Sequence, residues 1–444
     1  MNHASSTSNL TVPPLQLAGG CPLWLLPRQG VEVLAARLWI QGGSSQDPPG
    51  QRGAHQLLAG VLSRGSGHHS AEALADLVEG CGAGLRCEAH EDQLVLSLKC
   101  APDDGPLLLP LLLEMVQQPW LAADQVALER QLNLQTLQRQ REDPFQLAHD
   151  GLRGLLYGDG PYGHDPLGSE GDLRALEQRQ LQGLLPTLGE RGAWMVLCGQ
   201  VPDQAQQLLE AAMVATPWRV PPQRSEAPSA AAPVSGPATS RLACCHEETE
   251  PLILMLGSAT VPLAHPDSLA LRLLSAHLGI GMSSRLFVAL REEHGLAYDV
   301  GVHAPARLRA APFVFHLSTS SDRAGEACQR LLEEWERLLT VPLSDAELSL
   351  ARAKFRGQEA MGRQTCGQIA DRQALLLSHG LPPHHASDCL QVIDQLDAAT
   401  LQRVAQERLS QPSLSLCGPS SAVKQANRVW RSHPLSRQPR PVAP

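Results

Sequence analysis

Hydrophobic positions along the chain fall into two recurring patterns. The stretch "VEVLAARLWIQGG", residues 31–43, is rich in large apolar side chains in the manner of a strand. After a turn of Pro, Gly and Asp it gives way to "AHQLLAGVL", residues 54–62, whose apolar positions follow the 3.6-residue spacing of a helix. The order returns much later: "EPLILMLGSATV" leads through the turn "PLAHPDS" into "LALRLLSAHLG", residues 269–279. Each half then carries a long helical stretch, Ala122 to Gln140 in the first and Ser344 to Leu377 in the second, and after it a short apolar strand, "AWMVLCG" or "LSLSLCG". This repetition predicts a weak internal duplication. Strands mixed with long helices, without a regular βαβ rhythm, predict an α+β fold: two tandem homologous domains, each a mainly antiparallel sheet packed with helices.

At 444 residues the chain is too long for one ordinary core. The segment "PWRVPPQRSEAPSAAAPVSGPATS", residues 217–240, combines Pro, Ala and Ser with few large apolar side chains, and reads as an extended linker. It divides the chain into a first domain over 1–216 and a second over 241–430. Residues 431–444, "RSHPLSRQPRPVAP", read as a disordered tail.

Composition narrows the function classes. A net charge of −9 leaves no concentrated basic face and argues against a nucleic-acid partner. No apolar run reaches the 18 or so residues of a membrane helix; "PLLLPLLLEMV" is short and carries Pro110. The N-terminus has neither a positive leader nor a continuous apolar stretch, so a cytoplasmic location is expected. Eleven cysteines, odd in number and without a CxxC pair, are expected to be reduced and mostly packed. "GIGMSS", residues 279–284, lacks the lysine of a phosphate loop and follows a helix rather than a strand, so no nucleotide is expected there.

The stretch "GAHQLLAGVLSRGS", residues 53–66, has the outline of a metal helix with the wrong residues in it. Two histidines one turn apart can present their nitrogens to one Zn²⁺, a distant carboxylate completes the ligands, and a glutamate between the histidines takes the proton of the metal-bound water. Here the first histidine is His55, the base position is Leu58 and the second ligand position is Ala59. One imidazole does not hold a catalytic zinc, and leucine is no base. His68, His69 and His90 lie in the same half, but none stands one helical turn from His55, and they are expected to be surface or turn residues. The surrounding Leu57, Leu58, Val61 and Leu62 make ordinary core, with His55 packed among them.

"GAHQLLAGVLSRGS", "QREDPFQLAHDGLRGLLYGDGPYGHDPLGSEGDL", "GIGMSSRLFVALREEHGLAYDVG" and "LSDAELSLARAKFRGQ" occur in this order across both halves. Together they resemble the pitrilysin and insulinase-like zinc peptidases, above all the short two-domain members akin to processing peptidases. The resemblance implies a His-x-x-Glu-His helix and a further metal-binding glutamate roughly 77 positions on. In this register that last position is Thr136, so Leu58, Ala59 and Thr136 all depart from the family pattern.

The family's arginine and tyrosine, by contrast, are present as Arg291 and Tyr298. In the resembling enzymes this pair binds the substrate backbone and stabilises the oxyanion. A plainer reading stands beside it: Arg291 caps a helix ended by Gly295, and Tyr298 opens a strand as a β-former.

Some short members work as heterodimers, in which one subunit holds zinc and the other supplies the arginine and tyrosine. The resemblance therefore implies a zinc-less subunit with no cofactor of its own. It would bind peptide substrates beside a homologous partner that carries the His-x-x-Glu-His helix and the zinc. The alternatives are a structural or peptide-binding scaffold and, further off, a self-sufficient zinc peptidase with unusual ligands.

Overall fold

The computed structural model describes residues 14–215, 218–221 and 241–437. Two larger sheets organise it. The first contains β1 (Leu15–Gln16), β2 (Pro22–Pro27), β3 (Leu34–Gln41), β6 (Gly84–Ala89), β7 (Gln93–Cys100) and β8 (Ala193–Gly199); a small hairpin, β4 (Gly65–Ser66) with β5 (His69–Ser70), stands apart. The second contains β9 (Leu242–His246), β10 (Pro251–Ala259), β11 (Asp299–His303), β12 (Pro312–Ser320) and β13 (Ser413–Gly418).

The two sheets share one topology. The order β2-β8-β3-β7-β6 in the first corresponds to β9-β13-β10-β12-β11 in the second. In both, the pair at the β2 or β9 end is parallel and the other pairings are antiparallel. The duplication predicted from the hydrophobic pattern is thus present strand for strand, and the α+β class holds. β3 is mostly apolar instead of alternating because both of its faces are covered. The helix Gly105–Gln117 lies on one side and the helix Cys366–Ser378 on the other. On the second side Ala35, Trp39, Trp194, Val196 and Cys198 form one core with Cys366, Ala370 and Ala374. The charged residue within β3, Arg37, is 4% exposed and donates from Nε and Nη2 to the two carboxylate oxygens of Asp371 at 2.5 and 3.2 Å. A buried guanidinium requires such a bidentate partner.

The helix just mentioned comes from the far half of the chain. One compact unit draws on Met1–Leu134, Pro166–Ala227 and Glu359–Gln391, and the other on Gln135–Asp165, Pro228–Gln358 and Val392–Pro444. The trade is reciprocal: the helix Pro144–Tyr157, from the first half, lies on β10, β13 and β9, where Ala148 and Leu152 pack with Ile253, Met255, Val314 and Cys417. Division of the chain at 216 and 241 therefore does not separate the compact units, because each sheet takes its outer helix from the opposite half.

Three boundaries differ from expectation. The long helical stretch Ser344 to Leu377 is two helices, Asp345–Met361 and Cys366–Ser378, and the second starts with a capping box. Gln368 N–H donates to Thr365 Oγ1 at 3.2 Å, and Thr365 N–H donates to Gln368 Oε1 at 3.0 Å. The linker begins later than residue 217: Trp218 Nε1 donates to Leu188 O at 2.8 Å, Val220 is buried and bonds Gly19, and residues 222–240 lie outside the described residues. At the other end, residues 431–437 are ordered by a helix that runs to Ser432, a buried His433 and a 3₁₀ turn over Pro434–Ser436; the rest of the expected tail, 438–444, lies outside the described residues. Pro110 interrupts nothing, since the helix Gly105–Gln117 continues through it. Among the described residues no helix is long and apolar enough to cross a membrane.

Candidate functional site

His55 opens the helix Ala54–Leu62, and the helix is capped from outside. Gly53 takes a left-handed φ of 96°, which suits a residue without Cβ and turns the chain into the helix. The carboxylate of Asp47, upstream in "SQDPPGQRG", then accepts the N–H of Gly53 at 2.6 Å through Oδ2 and the N–H of His55 at 3.0 Å through Oδ1. A negative charge at the first turn also suits the helix dipole. The same Oδ1 lies 2.7 Å from His55 Nδ1, and both side chains are buried. His55 is therefore more than packing material. Its ring is oriented by a carboxylate, the arrangement that fixes the ring of a metal-ligating histidine.

The positions that would complete a metal site are of the wrong chemistry. Leu58 and Ala59 are fully buried, with Leu57, Val61 and Leu62, in the core that the hydrophobic pattern predicted. Thr136 is exposed on the helix Ala123–Gln140 and is counted with the other compact unit. Besides Asp47, Glu129 also meets this helix, pressing on Gly60 so closely that a Cβ there would come within 2.4 Å of its Oε1. Glu129 is taken by Arg64, which donates to Oε2 at 2.8 and 3.2 Å. His69 turns Nδ1 toward Glu114 at 3.2 Å, while His68 and His90 are exposed in turns. Among the described residues no group of three or more His, Cys, Asp or Glu side chains is arranged to hold a metal ion. One nitrogen and two apolar side chains do not fit zinc.

The arginine and tyrosine lie in the second unit. The loop "GIGMSS" is the expected turn before the arginine's helix; Gly281 takes φ 73°, and Met282 is 78% exposed. Arg285 is clamped to Glu334 by bonds of 2.7 and 2.8 Å, and beyond it Phe287–Glu292 widens into a π-helical turn. Such turns are uncommon and gather at functional sites. Arg291 sits on this turn, exposed, with its guanidinium 5.0 Å from the centre of the Phe287 ring. Gly295, at φ 57°, ends the helix, and its N–H bonds Arg291 O. Tyr298 follows just before β11. Its backbone N–H donates to Ser318 O at 2.9 Å, while its side chain, 67% exposed, projects from the sheet end.

Two histidines, His149 half-buried and His277 buried, tie the stability of this unit to pH. His149, on the helix Pro144–Tyr157, is pushed down to about 3, first by burial and then by Arg153, whose Nη2 lies 3.3 Å from its Nδ1. His277 is pushed down to about 4, chiefly by burial. Both are neutral in the fold and take up protons near pH 6.5 when unfolded. Their contribution is complete above pH 6.5 and is lost as the pH falls toward 4, with a slope approaching about 1.4 kcal/mol per pH unit for each group. Urea midpoints between pH 7.5 and 5 are expected to fall accordingly, and His149→Gln to flatten the slope; an unchanged slope would remove His149 from this role.

Comparison with known proteins agrees with this geometry. The family model described as Insulinase (Peptidase family M16) matches residues 26–167, and the model described as Peptidase M16 inactive domain matches residues 194–355. An uncharacterized zinc protease of Streptomyces coelicolor is 24% identical over 430 residues, which cover 94% of this chain and 92% of that protein. Among solved structures, a peptidase M16 inactive domain from Pseudomonas fluorescens matches with a TM-score of 0.82 and 22% identity, over 93% of this chain and 99% of that one. A protease from Helicobacter pylori matches with a TM-score of 0.80 and 18% identity, over 91% and 99%.

Proposed function

Since this chain belongs to the insulinase-like zinc peptidase family, M16, and carries a degenerate zinc motif, we propose that it is the zinc-less subunit of a heterodimeric metalloendopeptidase. Its partner is a homologous subunit with an intact His-x-x-Glu-His helix and the zinc, and its compartment is the cytoplasm. This chain helps to enclose peptide substrates and contributes Arg291 and Tyr298 to the shared cleft. Arg291 holds the substrate backbone, and the Tyr298 hydroxyl donates to the oxyanion that forms as the carbonyl is attacked. One contrast carries this reading: base and ligand positions are sealed into the core as Leu58 and Ala59, while Arg291 and Tyr298 stand in solvent.

Gentle purification of the tagged chain from its own cell tests the proposal. A homologue with the intact helix is expected to come down near one-to-one, and the pair to cleave an unstructured peptide in a chelator-sensitive manner. The chain alone is expected to be inactive with or without added zinc. Recovery of the chain in a stable assembly that neither cleaves peptides nor stimulates cleavage would replace this reading with that of a scaffold.

A further inference from the structure

The helix Cys366–Ser378 covers only part of its sheet face. It packs on β8 and β3, and beyond it the face of β7 and β6 is open as a trough of about 490 Å³ lined by Arg37, Trp39, Arg86, Glu88, Lys99 and Asp371 among others. Strand pairing sets its charges in rows. Lys99 pairs with Gly84; Ser97 lies between Arg37 and Arg86; Val95 lies between Trp39 and Glu88. Two successive rows of the floor are therefore cationic, and the third sets Trp39 and Val95 beside Glu88 on the outer strand.

The cationic end is short of negative charge. Arg37 is bound to Asp371, which leaves Lys99 and Arg86 with no ion-pair partner among the described residues. Lys99 and Arg37 are also held side by side: a Cβ at Gly367 would come within 2.8 Å of Lys99 Cε and 2.9 Å of Arg37 Nη2. Two like charges brought together against one helix, with a single carboxylate between them, repel unless an anion joins them. Gly84 leaves the floor beside Lys99 without a side chain, so a main chain can lie close to the sheet. At about 3.3 Å per extended residue, three rows of one face span four or five residues of a ligand strand.

We propose that this trough binds an extended peptide through a carboxylate placed on Lys99 and Arg86, with an apolar side chain against Trp39 and Val95. The carboxylate is that of an acidic side chain or of the peptide's C-terminus. This inference rests on the peptide-handling role proposed above and names the peptide class that the zinc-less subunit selects.

The isolated full chain suffices for the test, with fluorescence anisotropy of labelled ten-residue peptides. The probes are an Asp/Glu-rich peptide with both ends blocked, its Asn/Gln counterpart with a free C-terminus, and a Lys-rich blocked peptide. At least one of the first two is expected to bind, and which one identifies the source of the carboxylate; the Lys-rich peptide is expected not to bind. Arg86→Glu with Lys99→Glu is expected to weaken binding at least tenfold. The milder pair Arg86→Gln with Lys99→Gln should weaken it less. Equal binding of all three peptides, binding of none, or full affinity in both double variants would overturn the proposal. Cleavage by the assembled pair is a separate readout, so either idea can fail while the other stands.

Discussion

Tyr298→Phe is expected to lower the turnover of the assembled peptidase by about 10²-fold or more, the scale of losing one oxyanion donor. The substitution removes one hydroxyl from a side chain that is mostly in water. Its backbone bond to Ser318 O is unaffected, so folding and assembly should not change. The loss should appear in kcat more than in KM, because the bond forms only once the carbonyl oxygen becomes an anion. Arg291→Lys should act differently. It keeps the charge but loses the planar donor that lies over Phe287, so KM should rise with it. A complex with Tyr298→Phe that turns over at the wild-type rate would remove the tyrosine from the mechanism and restore the plainer reading of it as a strand-opening residue.

Asp47→Ala is expected to destabilise the first unit by about 3–5 kcal/mol, the scale of leaving several buried partners without their charged acceptor. The groups that depend on that carboxylate include the N–H of Gly53, the N–H of His55 and the His55 ring. Without it two donors at the start of a buried helix lose their acceptor, and the ring loses the group that orients it. Asp47→Asn keeps the shape and one acceptor and should cost less. Urea unfolding of the two variants measures the difference; a midpoint for Asp47→Ala close to wild type would mean that water replaces the carboxylate, and the cap would lose its importance.

Much of this was legible in the sequence for an identifiable reason. Strands within "VEVLAARLWIQGG" and "EPLILMLGSATV" are buried on both faces, and burial on both faces writes itself as a mostly apolar run without regular alternation. Leu58 and Ala59 were legible as core because a helix with apolar residues at those positions has nowhere else to put them. Asp47 was not. It acts across six to eight residues, through a turn whose path hydrophobic spacing does not encode, and the one available signal was an acid just before Pro-Pro-Gly. Nor was the exchange of outer helices. The apolar stripes of Pro144–Tyr157 and Cys366–Ser378 announce that each must be covered, but periodicity is silent on which sheet does the covering. The break between Asp345–Met361 and Cys366–Ser378 could have been read from the capping box that starts at Thr365, and was hidden by good helix formers on both sides.

That exchange dictates when the protein can finish folding as it leaves the ribosome. The first sheet has all its strands once Gly199 has emerged, yet the face carrying Trp39, Trp194 and Val196 stays bare until the helix Cys366–Ser378 arrives. At about 5–20 residues per second, that wait is on the order of ten to thirty seconds. Throughout it a nascent chain shows water an aromatic and aliphatic surface of the kind that chaperones hold and that aggregates grow from. A fragment ending in the Pro/Ala/Ser segment would remain in that condition permanently. Gene halves split there should give insoluble protein when expressed singly and recover only when made together.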